Sequence, residues 1–242
     1  MKRIFWVKAM VLVAMAFVAA QSGVLAQGSR AQKALDAVVD WGNGKAYFFK
    51  GSRYVRFDMK AMRVDPDYPK NISEWRGMPW TDGIDAAFNL GNGKAYFFKG
   101  SEYLRWDIAA DHMDPGYPKP TSTPTTWRGL PWTDGFDAVI NLGNGKLYIF
   151  KGAEYLRYDV SSDRADPDYP KSISTPTAWP GLIWTDGFDT AVNWGNGKLY
   201  FFKGAEYIQF DLKTDKADPG YPKRITQLTW PGLASIIYKI EL

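Results

Sequence analysis

Four aspartates, Asp36, Asp85, Asp137 and Asp189, recur at spacings of 49, 52 and 52 residues, and most of the other reactive side chains recur with them. Arg56, Arg105 and Arg157, with Gln209 in the fourth copy, stand next to Asp58, Asp107, Asp159 and Asp211. Adjacent residues of a strand point to opposite faces, so each Arg is expected to pair with a neighbouring strand or blade instead of its own Asp. Lys50, Lys99, Lys151 and Lys203 read as solvated turn residues. Trp75, Trp127, Trp179 and Trp230 recur once per unit, and Trp80, Trp132 and Trp184 three times. Such rings could form platforms for sugars or quaternary amines, but large aromatics dominate cores and packing is the more economical expectation.

The chemistry that is missing narrows the function. The chain has no cysteine and a single histidine, His112, whose counterparts are Arg63, Arg164 and Lys216. Thiolate metal sites and a cysteine nucleophile are excluded, and little remains for zinc or Ser/His/Asp catalysis. No paired-carboxylate or phosphate-cradling arrangement stands out. The expectation is a binding module and not an enzyme.

The elements that position these residues follow from the repetition. The second copy reads DAAFNLGNGKAYFFKGSEYLRWD and then DPGYPK; the first reads DAVVDWGNGKAYFFKGSRYVRFD. Each parses as an antiparallel β-meander. An apolar strand, Ala37 to Trp41, meets Gly42-Asn43-Gly44, where Asn-Gly is expected to supply the positive φ of a two-residue hairpin. A second strand, Lys45 to Lys50, ends at Gly51. The third, Tyr54 to Asp58, places Val55 and Phe57 on one face and Tyr54 and Arg56 on the other. A short fourth segment is cut off by Pro66 and Pro69, which lack the ladder donor and suit an edge.

A single such unit has two apolar faces and cannot bury them alone. Radial stacking of four buries them against neighbours and leaves only short edges, which gives an all-β four-bladed β-propeller with four strands per blade and an axial tunnel. The repeats run about 31–80, 81–132, 133–184 and 185–233. With no disulfide available, ring closure must be non-covalent. Residues 234–242 contain Ile236, Ile237, Tyr238 and Ile240, which favour a strand, and this segment is expected to dock on the first blade.

Ahead of the repeats, residues 1–26 read as a secretory signal: basic Lys2 and Arg3, an apolar run of 12 residues from Ala9 to Ala20, and Val24-Leu25-Ala26 before the cut. The run is too short for a bilayer core of about 30 Å. Cleavage near Ala26 leaves residues 27–242 as one secreted or periplasmic domain with no membrane span. It also removes Lys2, Arg3 and Lys8, so the formal charge falls from +4 to +1, with 27 basic against 26 acidic residues. Nothing in that balance calls for nucleic acid.

The opening Asp-Ala-Val, the Tyr-Phe-Phe-Lys-Gly of the second strand, the Tyr-Leu-Arg-aromatic-Asp of the third and the Tyr-Pro-Lys before Trp-x-Gly-Leu together resemble hemopexin repeats, most of all those of single-domain proteins such as the plant seed albumins. The resemblance covers all four units. It implies a cation, commonly Ca²⁺, held in the tunnel by the main-chain carbonyls of Asp36, Asp85, Asp137 and Asp189. It further implies a second layer at Val38, Ala87, Val139 and Ala191 for an ion such as Na⁺ or Cl⁻. Convergent carbonyls make a hard-oxygen site that suits Ca²⁺, with waters completing six to eight ligands. The side chains of the four aspartates have a plainer use, satisfying turn backbone next to Gly83, Gly135 and Gly187. Haem and polyamines are the larger ligands that the family suggests. A polyamine suits a carbonyl-lined, carboxylate-rimmed tunnel, whereas haem would rest on His112 alone, in an outer turn before Asp114-Pro115. The alternative is a scaffold for a protein partner or a homodimer, with a structural ion.

Overall fold

In the computed structural model, residues 33–122 and 125–237 are described. The expected signal at 1–26 and the last five residues lie outside them. Each unit forms one antiparallel sheet of contiguous chain. In the first, β1 (Ala37–Asp40), β2 (Lys45–Lys50) and β3 (Arg53–Asp58) pair in order. Two two-residue strands, β4 (Arg63–Val64) and β5 (Lys70–Asn71), then pair with opposite ends of β3. The fourth strand of each blade is thus split in two, and Pro66 and Pro69 lie in the gap. The other blades repeat the plan from β6 (Ala86–Asn89), β11 (Ala138–Asn141) and β16 (Thr190–Asn193).

The β1–β2 connection differs from the expected two-residue hairpin. It is a four-residue loop in which Trp41 N donates to Lys45 O at 2.8 Å, and Gly42 and Gly44 both sit at φ +79°. Asn43 stays out of the left-handed region; its Oδ1 accepts from Lys45 N. Glycine at both positions carries the conformation that the sequence reading had given to Asn-Gly.

The strand alternation sorts side chains between two neighbours. Val38, Ala46, Phe48, Val55 and Phe57 pack with Val192, Trp194, Phe202 and Trp230 of blade 4. From the same blade Ala37, Val39, Phe49 and Tyr54 pack with Ala87, Phe97, Leu104 and Trp106 of blade 2. Equivalent clusters fill the seams between blades 2 and 3 and between blades 3 and 4. The core therefore consists of four inter-blade seams. Full burial of one such side chain contributes about 2–3 kcal/mol, so no blade is stable without its neighbours.

Each tryptophan of the Trp-x-Gly segment sits in a seam. Trp127, Trp179 and Trp230 are buried and meet tyrosine and phenylalanine rings edge-on, as Trp230 does Tyr207 at 5.4 Å. Partly buried Trp75 meets Tyr54 the same way. Packing, not an exposed platform, is what these rings do. The residue after three of them, Trp127, Trp179 and Trp230, reaches the next blade's outer edge: Arg128 O accepts from Ala165 N, Pro180 O from Ala217 N, and Pro231 O from Val64 N, at 2.8, 2.8 and 2.9 Å. The last of these bonds closes the ring between blades 4 and 1.

The closing segment departs from its strand propensity. Ala234–Ile237 form a single α-helical turn, α1. Leu233 and Ile236 are buried with Phe48, Phe57 and Trp230 in the seam between blades 4 and 1. Residues 234–237 pack on the first blade, and the rest of the segment lies outside the described residues; the outer strand β4 is already bonded through Val64 N to Pro231 O.

The tunnel and its two mouths

The innermost strands touch in the cyclic order β1, β6, β11, β16 and back to β1. Between them lies an axial cavity of about 220 Å³. Its wall takes the equivalent four residues from each blade, which in blade 1 are Val38, Val39, Asp40 and Gly42. The second-layer positions Val38, Ala87, Val139 and Ala191 all line it. Asp36, Asp85, Asp137 and Asp189 do not; they stand at the mouth where the inner strands begin.

At that entry mouth the aspartate side chains do structural work. Each carboxylate accepts the N–H of the glycine that turns the second strand into the third: Asp36 from Gly51 at 2.6 Å, Asp85 from Gly100 at 2.7 Å, Asp137 from Gly152 at 2.8 Å and Asp189 from Gly204 at 2.9 Å. The turn amides served are these, and not those beside Gly83, Gly135 and Gly187. The latter glycines have another reason. An added Cβ on Gly135 would come within 3.1 Å of Gly100 O, and one on Gly187 within 2.7 Å of Gly152 O, so each lets its own blade pass close to the turn of the preceding one.

Lysines surround this mouth, and the expectation that they are solvated fails. Lys50 Nζ pairs with Asp36 Oδ1 at 3.0 Å. Lys99, Lys151 and Lys203 pair with Asp82, Asp134 and Asp186, carboxylates just upstream of the ring. The segment leading into β1 crosses the opening: Ala34 N donates to Asp189 Oδ2 at 2.8 Å, and Lys33 Nζ lies 3.0 Å from Asp137 Oδ1. Burial pushes the Asp189 carboxyl above the ordinary range, opposed by the N–H groups of Ala34 and Gly204.

Whether this mouth can hold a cation turns on its main-chain oxygens. Outside the strands, no main-chain hydrogen bond among the described residues ends on the carbonyl oxygens of Asp36, Asp85, Asp137 or Asp189. Four unused hard oxygens related by the ring fit Ca²⁺ better than a soft metal. No cluster of three or more His, Cys, Asp or Glu side chains suited to a metal exists among the described residues, so a cation here would rely on main chain.

Away from the axis, Arg56 Nε meets Asp65 Oδ2 at 2.5 Å, and Lys45 Nζ bridges Asp58 and Asp65 at 2.8 and 2.9 Å. Blades 2 and 3 repeat the arrangement, so each Arg does reach past its adjacent Asp to another segment, that of its own blade. Blade 4 substitutes Gln209, which donates to Tyr200 Oη at 2.6 Å and accepts from Tyr221 at 2.9 Å. His112 is exposed on the outermost strand of blade 2, its Nδ1 2.9 Å from Met113 O, far in the sheet from the inner strand.

These features define a closed four-bladed β-propeller with an axial tunnel whose inner strands begin and end in rings of Asp and Asn residues. The chain belongs to the hemopexin family, whose repeat description matches residues 35–79, 84–131, 136–182 and 188–235. It is 34% identical over 119 residues to matrix metalloproteinase-21 of Mus musculus, a match covering 45% of this chain and 20% of that protein. The chain thus spans about a fifth of the curated relatives it matches. Among solved structures, a seed albumin from Lathyrus sativus superposes with a TM-score of 0.70 at 24% identity, covering 84% of this chain and 97% of that one. A plant lectin with two metal-binding sites from Cicer arietinum gives 0.63 at 24%, covering 86% and 99%; at these identities the likeness is one of fold.

No helix among the described residues is long and apolar enough to cross a membrane. The far mouth of the tunnel escaped the sequence reading. It is ringed by Asp40, Asn89, Asn141 and Asn193, each the last residue of its inner strand. The one signal available was the single Asp among three Asn at equivalent repeat positions.

Proposed function

We propose that this chain is a non-catalytic, exported binding module whose primary ligand is a cation on the propeller axis. The carbonyl oxygens of Asp36, Asp85, Asp137 and Asp189 would hold Ca²⁺, and Val38, Ala87, Val139 and Ala191 would line a second position for Na⁺ or Cl⁻. The observation that carries this reading is that, among the described residues, no main-chain hydrogen bond outside the strands ends on these four carbonyl oxygens. The two metal sites named for the Cicer arietinum lectin lend it support by analogy of fold. Carbonyl dipoles converging on one point attract a hard cation without a charged cage. Native mass spectrometry of the secreted chain, with and without chelator, spermine and haem, tests it: retention of one calcium lost to chelator is expected. Absence of any retained ion would leave the module as a scaffold. Spermine retention would extend the ligand to polyamines, and haem retention would direct attention to His112.

The scaffold reading has its own observation. Lys33 places an ammonium group at the entry mouth, where it opposes a free cation. In that case an ion serves only closure, and a protein partner or second copy uses the blades.

A further inference from the structure

The four seams are not filled alike. In each, the residue after the inner strand of one blade packs in the same cluster as the residue after the third strand of the next. The pair is Trp194 with Met59 between blades 4 and 1, Trp41 with Ile108 between blades 1 and 2, and Leu142 with Leu212 between blades 3 and 4. Between blades 2 and 3 it is Leu90 with Val160, the smallest pair of the four. Trp41 lies on Tyr47 at 5.0 Å between ring centroids, and Trp194 on Tyr200 at 5.2 Å; at the same place beside Tyr96 stands Leu90. Phe88, where those blades have Val39 and Val192, takes up part of the space by stacking on Tyr96 at 5.1 Å. A cavity of about 250 Å³ remains.

This cavity has an aromatic floor and one fixed carboxylate at its rim. Phe88, Trp127, Leu147 and Tyr158 line it and are buried, while Leu90, Tyr96, Arg105, Val160 and Asp163 line it half-buried. Tyr158 stands where the other blades have Phe57, Trp106 and Phe210, and its hydroxyl donates to Asp163 Oδ1 at 2.6 Å. Burial, then the bond to Asp163, push that hydroxyl above the ordinary phenol value, so it stays a donor. Arg128 Nε donates to the main-chain oxygen of Asp163 at 3.1 Å. The carboxylate is thus held in place by residues of both blades, and no described residue hydrogen-bonds its Oδ2. Arg105 adds no free charge, because its Nε is paired with Asp114 and its guanidinium lies 5.3 Å over the ring of Tyr117.

We propose that the seam between blades 2 and 3 binds a small neutral aromatic of the phenol class, its ring on the floor and its O–H donated to Asp163 Oδ2. The fold places an aromatic ring of its own at this position in blades 1 and 4, and a ring set against Phe88, Trp127 and Tyr158 gains contact energy beyond the area it buries. A hydroxyl on a carboxylate forms a charge-assisted bond, which offsets the desolvation of Oδ2 once the cavity is filled. The volume falls just below the range of about 300–1,000 Å³ for drug-sized ligands, so one ring is the size that fits. An anionic ring is repelled by Asp163. Of the residues lining this cavity and the axial one, only Phe88 is common to both, so the seam site does not depend on an ion in the tunnel.

The test is an NMR titration of the secreted chain at pH 7 with phenol, cyclohexanol and benzoate as separate arms. Phenol is expected to shift the amide of Asp163 and the indole signal of Trp127 saturably. Cyclohexanol keeps the hydroxyl without the ring and benzoate the ring with the wrong charge, and each should bind more weakly by roughly fivefold or more. Asp163→Asn keeps the shape of the rim and should weaken phenol by roughly threefold or more. Phe88→Val with Leu90→Trp copies the Val39 and Trp41 pair of blade 1 into blade 2, and should lose phenol binding by roughly tenfold or more as the indole fills the site. Val160→Leu is the milder filling, should weaken phenol in the same direction, and keeps the test intact if the double variant does not fold. Absence of saturable phenol shifts, equal binding of cyclohexanol or benzoate, or undiminished binding by Asp163→Asn or by the filled variants would overturn the proposal. Calcium retention should be the same in parent and variants, which keeps this outcome apart from that of the axial site.

Discussion

Lys33 Nζ lies 3.0 Å from Asp137 Oδ1, an ion pair between the segment that enters blade 1 and the blade opposite it in the ring. The contact spans the axis, so one ammonium sits over the mouth that the four aspartates surround. Replacing it removes a like charge from the approach of any cation. Lys33→Met is therefore expected to tighten calcium binding by roughly three- to tenfold at low salt, less at high salt. Isothermal titration at two ionic strengths checks this; an unchanged affinity would mean that the ammonium and the ion do not compete. Stability should fall by only about 1 kcal/mol, because the pair is partly solvated.

The glycines ahead of the aspartates offer a graded test of blade packing. Gly83, Gly135 and Gly187 all have positive φ, at +150°, +106° and +110°, yet an added Cβ would meet the preceding turn at 3.7, 3.1 and 2.7 Å. Alanine at Gly83 should cost about 1–2 kcal/mol from backbone strain alone. At Gly187 the same change must also displace Gly152, and a loss of about 3 kcal/mol or more is expected. Urea denaturation of the three variants should rank them Gly187, Gly135, Gly83 from most to least damaged. A flat series would show that the blades have slack at this radius.

Acid should weaken the outer part of the blades first. Hydrogen bonds from the amide of Ala61, then from Lys45 and the amide of Lys60, hold the Asp58 carboxyl down at about 2, and Asp107 and Asp211 are held equally low by Lys94 and Lys198 with their local amides. A carboxylate with a depressed pKa contributes stability that is complete above its unfolded value, near 3.8, and is lost as the pH falls toward 2. The melting temperature should thus be level above about pH 5 and drop between about pH 4 and 2. Lys94→Met removes the hydrogen bond that chiefly holds the Asp107 carboxyl down, so it should lower stability near neutral pH and make the drop below about pH 4 smaller.

The architecture was legible because the chain states it four times: the opening Asp, the Tyr-Phe-Phe-Lys-Gly strand and the Tyr-Pro edge recur in register, and each has one structural meaning. Asp36 and its counterparts stand out by recurrence, but the partners of their side chains do not, since the amides of Gly51 and Gly100 lie fifteen residues away and only strand pairing brings them back. Lys50 reads as a turn residue in one repeat; its ion pair with Asp36 depends on the same fold-back. The Asp40 rim was invisible for a different reason. A strand-terminal Asp or Asn before glycine reads as local turn chemistry, which it is, whereas Nδ2 of Asn141 and of Asn193 finds its acceptor, the main-chain oxygen of Asn89 or Asn141, only when the blades come together.

The closing segment is where local preference and tertiary context disagree, and it yields the last prediction. Ile236 and Ile237 favour a strand, but the edge of blade 1 is already used by Pro231 O on Val64 N, and Gly232 packs so closely on Val64 that a Cβ would come within 2.7 Å of it. With no ladder left to join, α1 buries Ile236 by turning it onto Phe48 and Phe57. The ring has no disulfide to close it, so this apolar contact and the Trp230 seam carry the closure. Leu233→Ala, at a fully buried position, should cost about 2–4 kcal/mol. Truncation after Leu233 should cost less, about 1–3 kcal/mol, because it removes the Ile236 contact at the end of the chain without opening an enclosed cavity. Calorimetry decides between this account and one in which the ring needs no clasp: an unchanged melting temperature for both variants would leave closure to the three internal seams and the Pro231–Val64 bond.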